Sequence, residues 1–239
     1  MTMNLDTNQP LPPEGPVVDV RDAGMELSPA YDVGMEGVSF TLQRGELALV
    51  RLEHGMPEHP LADVLSGLAG ITSGDVRVFG QEWPRLGPDE QARARWRIGR
   101  VFAGHGWMSN LDVDENVTLA ERYHGRRRVS DILEEAHELA RRAGLTDLPD
   151  TRPAMTDWNR LRRAEWVRAM LGTPWLCLFE RPGRDLTESW LDEFLPMVDA
   201  LRARGTAVVW LCVDDGEWQA GVNPSLKFTA KGNKLVRVA

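Results

Sequence analysis

Cysteine is nearly absent. Cys177 and Cys212 are the two in 239 residues, and each sits inside a short apolar run. That excludes a disulfide-stapled scaffold and reads as two small buried hydrophobes in a reducing compartment. Basic charge is in deficit, 28 Lys and Arg against 36 Asp and Glu for a net charge of −8. The deficit argues against nucleic acid or an anionic lipid surface as the main partner. No apolar run reaches the roughly 18 residues of a membrane span, and the first residues are polar, so neither a spanning helix nor a signal peptide is expected. A core is not lacking: 42% hydrophobic and 27% charged residues suffice for one large α/β domain or two small ones.

Residues 1–16 are Pro-rich and without periodicity, and read as a flexible tail ahead of a domain over 17–239. Two strand-like runs follow, around VVDV and GVSFTL, then an apolar strand at 46–50 and a helix reaching about Leu68. ITSGDVRVFG reads as a turn and strand, PDEQARARWRIG as a helix, and RVFAG as the start of a strand. DENVTLAERYHG, VSDILEEAHELARRAGL and LRRAEWVRAML are helical. In the second of these Ile132, Leu133, Ala136, Leu139, Ala140 and Ala143 share a face, and Gly144 is a C-cap candidate. The continuous apolar strands WLCLF and TAVVWLCV flank the helix ESWLDEFLPMVDALRARG, and SLKFTAKGNKLVRVA reads as a hairpin turning at Gly232 and Asn233. Such strands alternating with helices predict an α/β fold whose parallel sheet is covered on both faces.

Residues 45–67, GELALVRLEHGMPEHPLADVLSG, have the frame of a phosphate-binding loop: an apolar strand, a loop and an apolar helix. Such a loop reads G-x-x-x-x-G-K-[ST]. Its glycines bring backbone N–H groups around the phosphates, its Lys reaches the terminal phosphates, and its hydroxyl holds Mg²⁺. Here Leu52 and Pro57 stand at glycine positions, Glu58 at the Lys position, and His59 and Pro60 at the hydroxyl positions, leaving Gly55. At about 4 Å and an effective dielectric near 20 one unit-charge interaction is worth about 4 kcal/mol, so exchanging Lys for Glu swings the balance by up to about twice that. Pro57 and Pro60 each delete an N–H donor. Glu58 is placed to neutralise the start of the following helix, the task a phosphate would otherwise perform. Glu53, His54, Glu58 and His59 show no recognised metal-ligand spacing, and no metal is expected.

GVSFTLQRGE, LSGLAGITSGDVRVFGQ, IGRVFAGHGWMSNLDVDENVTL and WLCLFERP follow one another collinearly. With the loop frame they resemble the ATPase subunits of ABC transporters over roughly 17–239. GQEWPRLGPDEQARARWRIGRVF is most similar to the lipoprotein-releasing, macrolide-export and cell-division branch, which works with a four-helix permease bearing a large periplasmic domain. The resemblance implies a P-loop NTPase-like ABC ATPase fold with a mainly parallel core sheet. A helical subdomain would be inserted at about 104–165, beside a small antiparallel β subdomain. It also implies ATP and Mg²⁺ as ligands, ATP hydrolysis, a dimer, and a cytoplasmic position beneath a membrane permease.

The family's functional residues are exchanged one after another. Ala103 stands where a Gln orders Mg²⁺ and water, and Thr156, Asp157, Trp158, Asn159 and Arg160 stand where LSGGQ clamps the γ-phosphate across the dimer. Glu180 takes the place of the Mg²⁺-binding Asp. Arg181 replaces the catalytic Glu and cannot act as a base. Val213 replaces the switch His, and Arg184, Asp185, Leu186 and Thr187 replace the dimer-contact SALD; Tyr31 is the candidate adenine-stacking aromatic.

The expectation is therefore a catalytically inactive ABC ATPase-like subunit with no catalytic residues and no bound nucleotide. It would dock on the cytoplasmic side of a permease in a structural or regulatory role, beside a second ABC ATPase subunit (the same chain or an active paralogue). Trp107, Met108, Asn110 and Leu111 are the candidate permease contacts, Trp107 and Met108 as an exposed apolar pair. Trp158 either fills a dimer interface or packs locally, and Arg126, Arg127 and Arg128 form a solvated loop or touch lipid head groups. Two alternatives stand: an atypical ABC ATPase that still binds ATP and powers transport with a partner subunit, and a soluble adaptor.

Overall fold

The uninterrupted apolar runs become strands buried on both faces. The computed structural model describes residues 14–26, 30–54, 58–104, 106–124, 127–186, 189–213, 215–219 and 221–238. The strands are β1 (Val18–Met25), β2 (Met35–Leu42), β3 (Leu47–Arg51), β4 (Ser73–Val78), β5 (Ile98–Val101), β6 (Leu176–Glu180), β7 (Ala207–Cys212), β8 (Leu226–Lys231) and β9 (Lys234–Arg237). The helices are α1 (Leu61–Leu65), α2 (Pro88–Trp96), α3 (Val113–His124), α4 (Val129–Arg142), α5 (Trp158–Met170), α6 (Trp190–Ala203) and α7 (Asp215–Gln219). Residues 1–13 of the expected tail lie outside the described residues.

The larger sheet runs β5-β6-β7-β3-β8-β9 and is parallel except for β9, which returns as a hairpin on β8. A second, antiparallel sheet runs β2-β1-β4, so β4 joins the two N-terminal strands. Period-2 alternation divides the core. Leu47, Leu49, Cys177, Phe179, Val208 and Trp210 face the layer containing α3 to α6, while Ala48, Val50, Leu176, Leu178, Val209 and Leu211 face α1 and the antiparallel sheet. Both cysteines are buried and in no disulfide, and burial pushes the Cys177 thiol pKa up. Helices α3, α4 and α5 pack on one another, and α5 lies on β5. That last contact is tight: a Cβ on Gly99 would fall 1.7 Å from the Ala169 carbonyl oxygen.

The helix after β3 is shorter than its apolar spacing predicts. It ends at Leu65, and Leu68 is exposed. Gly67 adopts φ 68° against Trp83; its N–H donates to the Val64 carbonyl, and that of Leu68 to the Asp63 carbonyl. These are the two bonds of a Schellman stop. Gly144, the expected C-cap, plays the same part for α4 one residue beyond the observed cap: Ala143 is the C-cap and Gly144 follows at φ 75°. No helix among the described residues is long and apolar enough to cross a membrane.

Candidate functional site

Parallel strands open their following loops at one edge, where α/β folds gather their ligand-binding residues. The loops after β3, β5, β6 and β7 accordingly bring Glu58, Ala103, Arg181 and Val213 to the same end of the sheet. Gly55 and Pro57 lie outside the described residues. Leu52 is buried, its N–H donating to the Cys212 carbonyl at 2.8 Å. Glu58 donates its N–H to Asp32 Oδ2 at 2.8 Å.

The Glu58 carboxylate does not cap α1 as expected. It accepts from Arg181 Nη2 at 3.0 Å. The helix start is served instead by His59, whose Nδ1 accepts from the Leu61 N–H at 3.2 Å. Pro60 is the N-cap and makes no side-chain cap bond. His59 is buried, which lowers its pKa to about 4, and its Nε2 has no partner among the described residues.

Arg181 follows β6 in a left-handed conformation, φ 47°, and donates its N–H to the Leu211 carbonyl at 2.8 Å. Its guanidinium also donates to the Ala103 carbonyl at 3.2 Å, and Arg184 Nη1 donates to the same oxygen at 2.9 Å. Glu180 is buried and takes a second ion pair, with Arg100 Nε at 2.6 Å. Burial pushes the Glu180 carboxyl pKa up, against the pull of Arg100. Arg100 also lies 2.6 Å from Asp63, which accepts from the Tyr31 hydroxyl at 2.7 Å. Burial, then the Asp63 bond, takes the Tyr31 hydroxyl pKa up to about 12. Val213 is half-buried against the core. Sequence reasoning missed Arg100, although a charge inside an apolar strand was a signal that it needed a partner.

Three of the five residues at the signature positions use their side chains locally. Thr156 is buried and shares a hydrogen bond with the Thr151 hydroxyl at 3.0 Å. Asp157 is the N-cap of α5, accepting from the Arg160 N–H at 3.0 Å, a task Asp performs well. Asn159 Oδ1 accepts from Arg163 Nε at 2.8 Å. Trp158, on the first turn, is 57% exposed, and Arg160 is exposed.

Trp107 and Met108 are not an exposed pair. Trp107 is half-buried against the core with the Arg168 guanidinium 4.5 Å from its ring centroid, whereas Met108 is 49% exposed. Asn110 is exposed and its carbonyl accepts from Arg152; Leu111 is half-buried. Of the Arg126–128 run, Arg126 lies outside the described residues, Arg127 pairs with Glu135, and Arg128 pairs with Asp131 at 3.2 Å. A cleft of about 310 Å³ opens beside Tyr31 and Pro60, but its lining holds one acid, Glu26, and no base.

No family model matches the chain. It is 28% identical over 198 residues to the macrolide export ATP-binding/permease protein MacB of Escherichia coli strain K12, a match spanning 81% of this chain and 30% of MacB. It is 31% identical over 144 residues to the methionine import ATP-binding protein MetN of Rhizobium johnstonii, spanning 60% of this chain and 40% of MetN. Among solved structures, the ATP-binding subunit of an ABC transporter superposes with a TM-score of 0.79 at 16% identity, covering 93% of this chain and 90% of that one. An ATP-binding cassette solved as a dimer in a post-hydrolysis state with ADP and Pi gives 0.80 at 18% identity, covering 91% and 96%. The structural matches speak for the fold and the sequence matches for common descent: the chain is homologous to the ATP-binding subunits of ABC transporters and is built on their fold.

Proposed function

We propose that the chain is a non-hydrolysing ABC-type subunit that braces a membrane permease from the cytoplasmic side, or sets its conformation, beside a second ABC ATPase subunit. In this reading it uses neither ATP nor Mg²⁺. One observation carries the proposal: Glu58 and Arg181, at the positions of the family's phosphate-binding Lys and catalytic Glu, bear the opposite charges and bind each other at 3.0 Å. An acid at the family's Lys position would repel a polyanion, and Arg181 is spent on that acid and on the Ala103 carbonyl.

The remaining groups fit Mg-ATP no better. The Glu58 N–H is taken by Asp32 and the Leu61 N–H by His59. Glu180 is neutralised by Arg100, and every lysine of the chain lies at or after Lys227. Ala103, Arg181 and Val213, in place of Gln, Glu and His, offer at those three positions no group to hold or deprotonate an attacking water. The permease partner is inferred from MacB, whose name joins ATP-binding and permease parts and of which this chain spans 30%. Met108 and the neighbouring Asn110 and Leu111 are the proposed contact.

Calorimetric titration with ATP, with and without Mg²⁺, tests the reading: no saturable heat is expected up to ~1 mM, where a real site of even weak affinity registers. The second reading is an atypical ABC ATPase that still binds ATP and powers transport with a partner subunit. It draws on the ATP-binding names of the relatives and on the carboxylate kept at Glu180. Saturable Mg-dependent binding would favour it.

A further inference from the structure

The loop after β5 is held by its backbone carbonyls, and by arginines. Arg162 Nη1 donates to the Phe102 carbonyl at 3.1 Å, Arg181 and Arg184 to that of Ala103 at 3.2 and 2.9 Å, and Arg168 Nη1 to that of Gly106 at 2.6 Å. Arg162 and Arg168 come from α5, and Arg181 and Arg184 from the turn after β6. Arg168 also lies over the Trp107 ring. Asn116, on α3, then fixes the next residue from both sides: its Oδ1 accepts from the Met108 N–H at 2.8 Å, and its Nδ2 donates to the Met108 carbonyl at 3.1 Å.

The acid that balances the α5 arginines is Glu165, 1% exposed and 2.5 Å from Arg162. Burying an ion pair inside a helix is costly unless its remaining donors find acceptors. Here the loop carbonyls accept from Nη1 of Arg162 and Nη1 of Arg168, while Nη2 of each has no hydrogen-bond partner among the described residues. In the family the same segment carries the Gln that senses Mg²⁺; in this chain that residue is Ala103, whose side chain can sense nothing.

The geometry points to a contact loop locked by guanidinium groups instead of by nucleotide: Arg162, Arg168, Arg181 and Arg184 are positioning residues that hold Met108 in one presentation at all times. This deepens the function proposed above and rests on it for the loop's role as the permease contact. Bonds from charged donors are stronger than neutral ones. Four of them on three carbonyls remove the conformational freedom that a partner would otherwise have to freeze on binding.

Hydrogen–deuterium exchange on the whole chain, without nucleotide, tests the lock. The peptide covering 101–109 is expected to be protected in the wild type and unchanged by 1 mM Mg-ATP (~1 mM sets the weak-binding limit). In R181A and in R184A its exchange should rise by about tenfold, the weight of one charge-assisted bond, with β3 and β7 peptides unchanged. R184A alters a side chain 41% exposed, so it keeps the test open should R181A fold poorly. Free-loop exchange in the wild type, slowing by Mg-ATP, or variants indistinguishable from wild type would each overturn the inference. Saturable ATP binding in the titration with the 101–109 peptide still protected would instead sink the function proposed above and leave the lock standing.

Discussion

Glu58 and Arg181 are 123 positions apart and meet through one bond between partly exposed side chains, so the pair is an electrostatic clasp of modest strength. Its coupling should be about 1 kcal/mol, the upper range for accessible ion pairs. E58K and R181E each put like charges together and should each lower urea stability; combined, they restore an ion pair of reversed polarity, and the loss should shrink by about that coupling. Strictly additive losses would mean the two side chains do not interact in solution. On the function proposed above, the double variant should show no ATP hydrolysis, because Ala103, Pro57 and Pro60 are untouched.

His59 makes a sharper prediction. Burial holds it neutral with a pKa of about 4, while an unfolded chain would protonate it near the ordinary 6.5. Between those values the unfolded chain binds a proton that the folded one does not. Stability therefore falls as pH drops from about 6.5 to about 4, by roughly 3 kcal/mol at most from this group. H59N keeps an acceptor for the Leu61 N–H and cannot titrate. Its unfolding free energy should be lower at neutral pH but decline less steeply across that window, and a slope equal to wild type would show that His59 is not buried as described.

The strands were readable because a strand buried on both faces is a continuous apolar run, as in 47–50 and 176–179. Helix α1 was over-read because Leu68 continues its spacing, and the stop depends on Gly67 turning left-handed against the Trp83 ring, a contact from another part of the chain. The motif positions were visible in order, but their partners were not. Arg181 reaches Glu58 and a carbonyl, and carbonyls are alike at every residue, so no spacing rule foretells which one an arginine will choose.

Gly99 belongs with these hidden contacts. On its face of β5 the backbone of α5 approaches so closely that only hydrogen fits. G99A should force β5 and α5 apart and cost about 3 kcal/mol, read as a fall in the urea midpoint with an unchanged slope. A loss under about 0.5 kcal/mol, the level of an ordinary surface change, would mean that the two do not pack this tightly.

In the proposed pairing with a second ABC ATPase subunit, each composite site would join one subunit's phosphate loop to the other's signature, so a chain altered in both halves would weaken both sites. Asp157, Thr156 and Asn159 are committed to capping α5 and to local hydrogen bonds, and Trp158 stands on the first turn of α5 where a glycine would let backbone approach phosphate. If a competent ATPase subunit partners this chain, any turnover of the assembly should not pass through these residues. W158A and N159A, each made in the co-purified assembly with its permease, should leave ATP turnover within about twofold of wild type, a change below 0.5 kcal/mol in the barrier. W158A should nevertheless loosen subunit association if its exposed ring is a dimer contact, visible as a lower fraction of intact assembly by size-exclusion chromatography. Turnover that collapses in either variant while the assembly stays intact would mean that this helix start still clamps a partner's γ-phosphate, and the chain would then be half of a working engine.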